Sequence, residues 1–176
     1  MPFMNIPESL LLTHCIATIS FLVATLVIAK LRKVIHPYLA TANSIAAALA
    51  LVNTTCMIVN LIIAWEASPD HMFFKYRSVT FLPLIVIYVA AISLTLLKKL
   101  RATVLFSLIL IIVYACLISN TMAYLIIYTF NPGALSVSWS YPWPESSALL
   151  FPLPAAAIYS VICYHIAKRI HARQNH

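Results

Sequence analysis

Five long stretches without a charged side chain take up almost all of this chain, and they decide what it can fold into. They cover residues 9–29, 34–65, 78–97, 102–144 and 146–167. A bilayer core about 30 Å thick requires roughly 20 apolar residues of helix to cross it. Three of the stretches therefore fit one crossing each, and the other two fit one crossing plus a loop. The sequence predicts an all-α integral membrane protein, a bundle of five transmembrane helices.

The prolines and the charges at the ends of these stretches set the bounds of the predicted helices. We expect one membrane domain over residues 1–176, with transmembrane helices at about 9–29, 38–65, 78–97, 102–130 and 148–168. A short interfacial segment at 71–77 is expected to precede the third helix. A proline- and aromatic-rich outer loop is expected at 131–147. Because Pro152 and Pro154 lack a backbone donor, the regular part of the fifth helix is expected to begin only near Pro154.

The distribution of charge orients this bundle. Charged residues make up only 9% of the chain, against about 25% in soluble domains, which excludes a soluble core. Nine basic residues and no acid flank alternate connections: Lys30, Arg32, Lys33, Lys98, Lys99, Arg101, Lys168, Arg169 and Arg173. The other connections hold Lys75 and Arg77 with all four acids, Glu8, Glu66, Asp70 and Glu145. The positive-inside rule then places the N-terminus outside and the C-terminus in the cytoplasm. The small size favours a prokaryotic cytoplasmic membrane.

Close packing of the predicted helices has to use residues other than glycine, since the chain has one glycine. The second helix offers two pairs of small residues at a spacing of four, Ser44 with Ala48 and Ala46 with Ala50. Such pairs let helix backbones approach closely in a membrane. No internal repeat is evident at the level of the whole chain.

A possible catalytic group lies at the outer end of the second helix. Glu66 follows Trp65 at the C-terminal end, where the helix dipole disfavours an anion. A carboxyl group held there, withdrawn from water and with a raised pKa, can act as an acid or base on a lipophilic substrate. Asp70 and His71 would assist. The alternative interpretation of Glu66 is a solvated acid in a loop.

A possible ligand site combines polar and aromatic residues of several helices. The second helix carries a stripe at spacings of three and four that cannot comfortably face lipid: Asn43, Ala46, Ala50, Asn53, Met57 and Asn60. His14 lies below the outer rim in the first helix. The remaining candidates are Tyr114 and Tyr124 of the fourth helix and Trp139 and Trp143 of the outer loop. Largely apolar pockets with a few polar groups are the normal form of small-ligand sites. Interhelical hydrogen bonds and an interfacial aromatic belt are the structural alternatives.

Several kinds of site have no sequence signature here. Phosphate- and dinucleotide-binding loops need several glycines, and HExxH and GxSxG motifs are absent. His14, His71, Glu66 and Asp70 lack any recognised metal-ligand spacing, and no pair of histidines is placed for a haem. The four cysteines fall in four different helices and are expected to act as small apolar fillers. We therefore expect no metal and no cofactor.

These patterns favour a small polytopic membrane protein that binds a lipophilic molecule. The molecule would be quinone-, sterol- or lipid-like and would enter from the outer half of the bilayer, or the protein would be a non-catalytic subunit of a membrane complex. The alternative is a membrane-embedded isomerase- or cyclase-type enzyme that uses Glu66. Expected partners are the bilayer, the lipophilic molecule and other membrane subunits. Nucleic acid is excluded, because the basic residues are spread over helix ends rather than clustered on one face.

Overall fold

The computed structural model describes residues 6–67, 69–118 and 152–174, and every regular element in them is a helix. In chain order the helices are α1 Ile6–Val27, α2 Ala29–Arg32, α3 Ile35–Glu66, α4 Met72–Leu96, α5 Lys98–Arg101, α6 Val104–Ile118 and α7 Pro152–Gln174. Three segments are long and apolar enough to cross a membrane: Ile6–Val27, Ile35–Glu66 and Arg77–Leu96. The prediction of an all-helical membrane protein is confirmed at this level. Residues 119–130 of the fourth predicted helix and the loop at 131–147 lie outside the described residues.

One helix begins differently from the prediction. The segment at 71–77 is not separate from the third predicted helix, since α4 continues from Met72 through Pro83 to Leu96 without a break. The last helix is described over the 23 residues from Pro152 to Gln174, and both Pro152 and Pro154 are part of it. The residues immediately before Pro152 lie outside the described part of the chain.

The exterior of the described bundle is largely apolar, and its mostly apolar interior also encloses several polar side chains. Leu26 and Val27 expose 72% and 83% of their surface, whereas His14 and Asn43 expose none. Hydrocarbon solvates leucine and valine well and polar groups badly, so the polar side chains gain by facing one another. The apolar exterior supports a membrane location independently of helix length.

Most of the buried hydroxyl groups are satisfied by their own helix. Thr13 donates to the carbonyl of Ser9, and Thr54 donates to that of Ala50, each at 2.8 Å. Thr95 makes the same bond to Ala91. Such bonds remove the cost of an unpaired hydroxyl in hydrocarbon without linking one helix to another.

The long helix α3 lies at the centre and contacts α1, α4, α6 and α7. Ala46 and Ala50 are fully buried in a core shared with Leu84 and Tyr88 of α4. Ser44 is half-buried and Ala48 is exposed. Of the two small-residue pairs in the sequence, only Ala46 with Ala50 therefore packs inside the described bundle.

The nine basic residues named above occupy helix ends that meet at one end of the bundle, called here the basic end. The ring nitrogen Nδ1 of His36, at the start of α3, lies 2.9 Å from the carbonyl oxygen of Ala102. The amide of Asn43 donates to the carbonyl of Arg101 at 2.8 Å. Ala167 of α7 shares a buried cluster with Tyr38 of α3. The first turns of α3 thus hold the three basic segments together.

Candidate functional site

The site is built around His14, the one histidine of the described residues that is fully buried. Its Nδ1 lies 3.0 Å from the hydroxyl oxygen of Tyr159 in α7 and 3.4 Å from that of Thr18, one turn further along α1. The Tyr159 hydroxyl in turn donates to the carbonyl of Ala42 in α3 at 2.9 Å. One imidazole and one phenol therefore link α1, α7 and α3.

The direction of these bonds fixes the state of the imidazole. A carbonyl oxygen can only accept, so the single hydroxyl proton of Tyr159 points to Ala42. The Tyr159 oxygen must then accept from His14, which places a proton on Nδ1. Because a charged ring is costly in a fully buried position, the imidazole is taken as neutral, with a bare lone pair on Nε2. Nε2 is buried and has no hydrogen-bond partner among the described residues. The site thus presents an unpaired acceptor inside the bundle.

A row of aromatic rings continues from His14 toward α4. The ring of Tyr114 in α6 meets the imidazole edge to face, with centroids 6.2 Å apart. Tyr88 of α4 stacks beside Tyr114 at 6.2 Å, and its hydroxyl accepts from the amide of Asn53 at 3.0 Å. The Tyr114 hydroxyl is buried without a partner, as is Nε2 of His14. The cluster therefore ends in two unpaired polar atoms on neighbouring rings.

The cluster lies deep in the bundle. By the 1.5 Å rise of a helix, His14 is about 12 Å along α1 from Ile6, and Ala42 is about 10 Å along α3 from Ile35. Since these two helices start at opposite ends, the cluster lies between the two ends of the bundle. The depth of His14 in a membrane, under the outer rim, stays a prediction.

A groove on the outside of the bundle reaches this cluster. It runs between α1 and α7, has a volume of about 400 Å³ and is almost wholly apolar. Its walls include Leu10, Thr13, Pro154, Ile158, Tyr159 and Ile162. Tyr159 therefore belongs both to the groove, which it lines, and to the buried cluster, because its hydroxyl contacts His14.

Three of the ligand residues predicted from the sequence come together here, and one does not. His14, Tyr114 and Asn53 belong to one row of contacts, with Tyr88 between the last two. Asn60 lies apart and donates to the carbonyl of Cys56 in its own helix. Tyr124, Trp139 and Trp143 lie outside the described residues.

Glu66, Asp70 and His71 form the turn between α3 and α4. Glu66 and Asp70 are exposed. His71, at a φ of 53°, stacks on Trp65 with centroids 3.8 Å apart, and its Nδ1 lies 2.9 Å from the Trp65 carbonyl oxygen. The enzyme hypothesis needs Glu66 withdrawn from water, and the described chain does not bury it.

The polar stripe on α3 is buried within this chain. Asn43 and Asn53 expose almost nothing, and both donate to neighbouring helices, Asn43 to the Ser107 hydroxyl at 2.8 Å and Asn53 to Tyr88. A scaffold subunit would bury such a stripe against another chain. The described contacts of the stripe therefore do not support the hypothesis of a scaffold subunit.

Sequence reasoning missed Tyr88, Thr18 and the role of Tyr159. Tyr88 has a signal, since a hydroxyl in the middle of an apolar helix must find a partner on another helix. Thr18 lies four residues after His14 and so shares its face. Tyr159 has no such signal, because its link to His14 depends on how α1 and α7 pack.

No group of three His, Cys, Asp or Glu side chains close enough to hold a metal ion occurs within 6–67, 69–118 and 152–174. The potential of the site therefore lies in hydrogen bonding and apolar contact. Comparison with protein-family models, with curated proteins and with solved structures finds no match for this chain. Its function has to be inferred from the geometry described above.

Proposed function

We propose that this protein binds a lipophilic small molecule, quinone-, sterol- or lipid-like, in the groove between α1 and α7. The observation that carries the proposal is the double role of Tyr159, which lines the groove and contacts His14. The almost wholly apolar lining of the groove, which includes Thr13 and Tyr159, matches the largely apolar composition of small-ligand sites. The ligand enters sideways from the outer half of the bilayer.

The unpaired atoms beside the groove support a functional cluster. Leaving a buried donor or acceptor without a partner costs about 1–3 kcal/mol. His14 Nε2 and the Tyr114 hydroxyl are both buried and have no hydrogen-bond partner among the described residues. A core selected for stability alone would hold apolar side chains here. We therefore take His14, Tyr114 and Tyr159 as the polar part of the ligand site.

Native mass spectrometry of the protein extracted in mild detergent tests this proposal. Ile158→Trp fills the groove, and Val86→Trp on α4 is the matched control, since the two residues expose 64% and 65% of their surface. We expect an adduct of lipid-like mass on the wild type and the control, and its loss from Ile158→Trp. A bare mass for the wild type, or an adduct that survives Ile158→Trp, contradicts the proposal.

We further propose five crossings of a prokaryotic cytoplasmic membrane, with the N-terminus outside and the C-terminus in the cytoplasm. The support is the gathering of nine basic residues at one end of the bundle, away from Glu8, Glu66 and Asp70. Connections rich in lysine and arginine stay in the cytoplasm. In this orientation the groove opens toward the outer half of the membrane.

A further inference from the structure

Two connections at the basic end have the same construction. In each, a long helix stops at a residue with extended backbone, Ile28 (φ −104°, ψ 99°) or Leu97 (φ −73°, ψ 104°). A helix of four residues then follows, α2 or α5. Both short helices end in the sequence Lys-Leu-Arg, at 30–32 and 99–101. The two turns are thus a matched pair.

Each turn places positive charge next to exposed apolar surface. Leu26 and Val27 lie exposed just before α2, and Leu96 and Leu97 lie exposed just before α5. Lys30 and Lys33 follow the first pair, while Lys98 and Lys99 follow the second, and all four lysines are exposed. A molecule that contacts both parts has to carry an anionic head on an apolar body.

The positive charge has no counter-charge within its own end of the protein. Residues 9–65, 71–144 and 146–176 contain no Asp or Glu. Arg32 is engaged with the end of α1, since its guanidinium donates to the carbonyls of Thr25 and Leu26, each at 2.9 Å. The four exposed lysines, whose side chains are long and flexible, face outward.

Contacts of α3 fix the position of the second turn. Nδ1 of His36 lies 2.9 Å from the carbonyl oxygen of Ala102, and Asn43 donates to the carbonyl of Arg101, so α3 holds the second turn beside the residues that follow the first. Asn43 also donates to Ser107 at 2.8 Å. Both turns therefore lie at the basic end.

We propose that the two Lys-Leu-Arg turns bind the phosphate groups of anionic phospholipids, whose acyl chains lie on Leu26 and Val27 and on Leu96 and Leu97. Lys30 and Lys33 hold one headgroup, and Lys98 and Lys99 hold the other. Basic segments at the cytoplasmic ends of membrane helices attract anionic lipids in this way. This site is separate from the groove between α1 and α7 and does not depend on a ligand there.

Native mass spectrometry with two lipids of identical chains tests the proposal. The full-length protein is delipidated in detergent and titrated with dioleoyl phosphatidylglycerol or dioleoyl phosphatidylcholine. We expect phosphatidylglycerol to be retained in preference. Replacing Lys98 and Lys99 by Gln should weaken its retention by about fivefold for each lysine removed. The same change at Lys30 and Lys33 should have a similar effect.

The control is the pair Lys75→Gln and Arg77→Gln, which removes two positive charges from the opposite end. Circular dichroism and gel filtration establish that each variant is folded. Equal retention of the two lipids, or an equal loss in the control variant, overturns the proposal. Glycerol phosphate is added as a third probe. If it competes as well as the lipid does, the apolar part of the proposed site plays no role and the proposal fails.

Discussion

Tyr159 is the residue at which three helices meet. Its ring forms part of the groove between α1 and α7, and its hydroxyl lies between His14 of α1 and the Ala42 carbonyl of α3. Both bonds are partly buried. Interhelical hydrogen bonds in membranes contribute about 0.6–2 kcal/mol each, because the separated helices also find partners. A change at this single hydroxyl therefore affects the packing of α1 against α7.

Tyr159→Phe should lower the free energy of unfolding by about 1–2 kcal/mol, since it removes the hydrogen bonds of the Tyr159 hydroxyl to His14 Nδ1 and to the Ala42 carbonyl. Tyr164→Phe is the matched control in the same helix, with a half-buried ring. Thermal unfolding in detergent measures the difference. Equal midpoints for the two variants would mean that the Tyr159 hydroxyl carries no stabilising bond.

His14 should be a neutral imidazole with its proton on Nδ1. The reason is that the Tyr159 proton is committed to Ala42, so the Tyr159 oxygen accepts from Nδ1. Nitrogen-15 NMR of labelled protein distinguishes a protonated ring nitrogen from a bare one. A proton on Nε2 instead would show that the hydrogen bonds run in the opposite direction.

At the scale of elements, α3 organises the bundle because one of its faces is lined by small residues. Ala42, Ala46 and Ala50 expose none of their surface. Alanine at these positions lets Tyr88 and Tyr114 fit beside the α3 backbone, and the aromatic row toward His14 depends on that space. Packing against α3 thus positions the site.

Ala50→Leu should therefore destabilise the protein by about 1–3 kcal/mol through overpacking. Ala48→Leu, two residues away on the exposed face, should change stability little. Thermal unfolding of both variants in the same detergent gives the comparison. A larger loss for Ala48→Leu would indicate that α3 presents the opposite face to the bundle.

At the scale of the whole molecule, some polar side chains are buried, apolar side chains cover the outside of the described bundle, and nine of the eleven Lys and Arg residues lie at one end. The first two features suit a hydrocarbon surrounding, and the third orients the protein in it. Glu8, Glu66 and Asp70 occupy the end opposite to the lysines of α2 and α5. The molecule therefore has a defined polarity along the axis of the bundle.

The proposed orientation predicts which ends a membrane-impermeant thiol reagent can reach. In a variant without the four native cysteines, Asp70→Cys should be labelled from the outside of intact cells. Lys99→Cys should be labelled only after the membrane is opened. The opposite pattern would reverse the orientation, and labelling of both from one side would contradict a crossing by α4.

Much of the fold could be anticipated because it depends on local properties of the chain. The length and hydrophobicity of a helix can be predicted from its own residues. Most ends of α1, α3 and α4 lie within a few residues of the predicted spans. The segment at 71–77 contains no proline or glycine, and its residues from Met72 onward belong to α4.

The sequence by itself determined that the chain is a helical membrane protein and that its basic residues lie on alternate connections. Hydrophobicity and charge act on each segment separately, so they can be evaluated without knowing its neighbours. Only the tertiary structure decided that His14 meets Tyr159 and Tyr114, that Glu66 is exposed, and that α3 contacts the second Lys-Leu-Arg turn. Each of these results depends on how the helices pack against one another. The reason is that interhelical bonds can join residues far apart in the sequence, such as His14 and Tyr159 at 145 positions, and no local pattern specifies such a pairing.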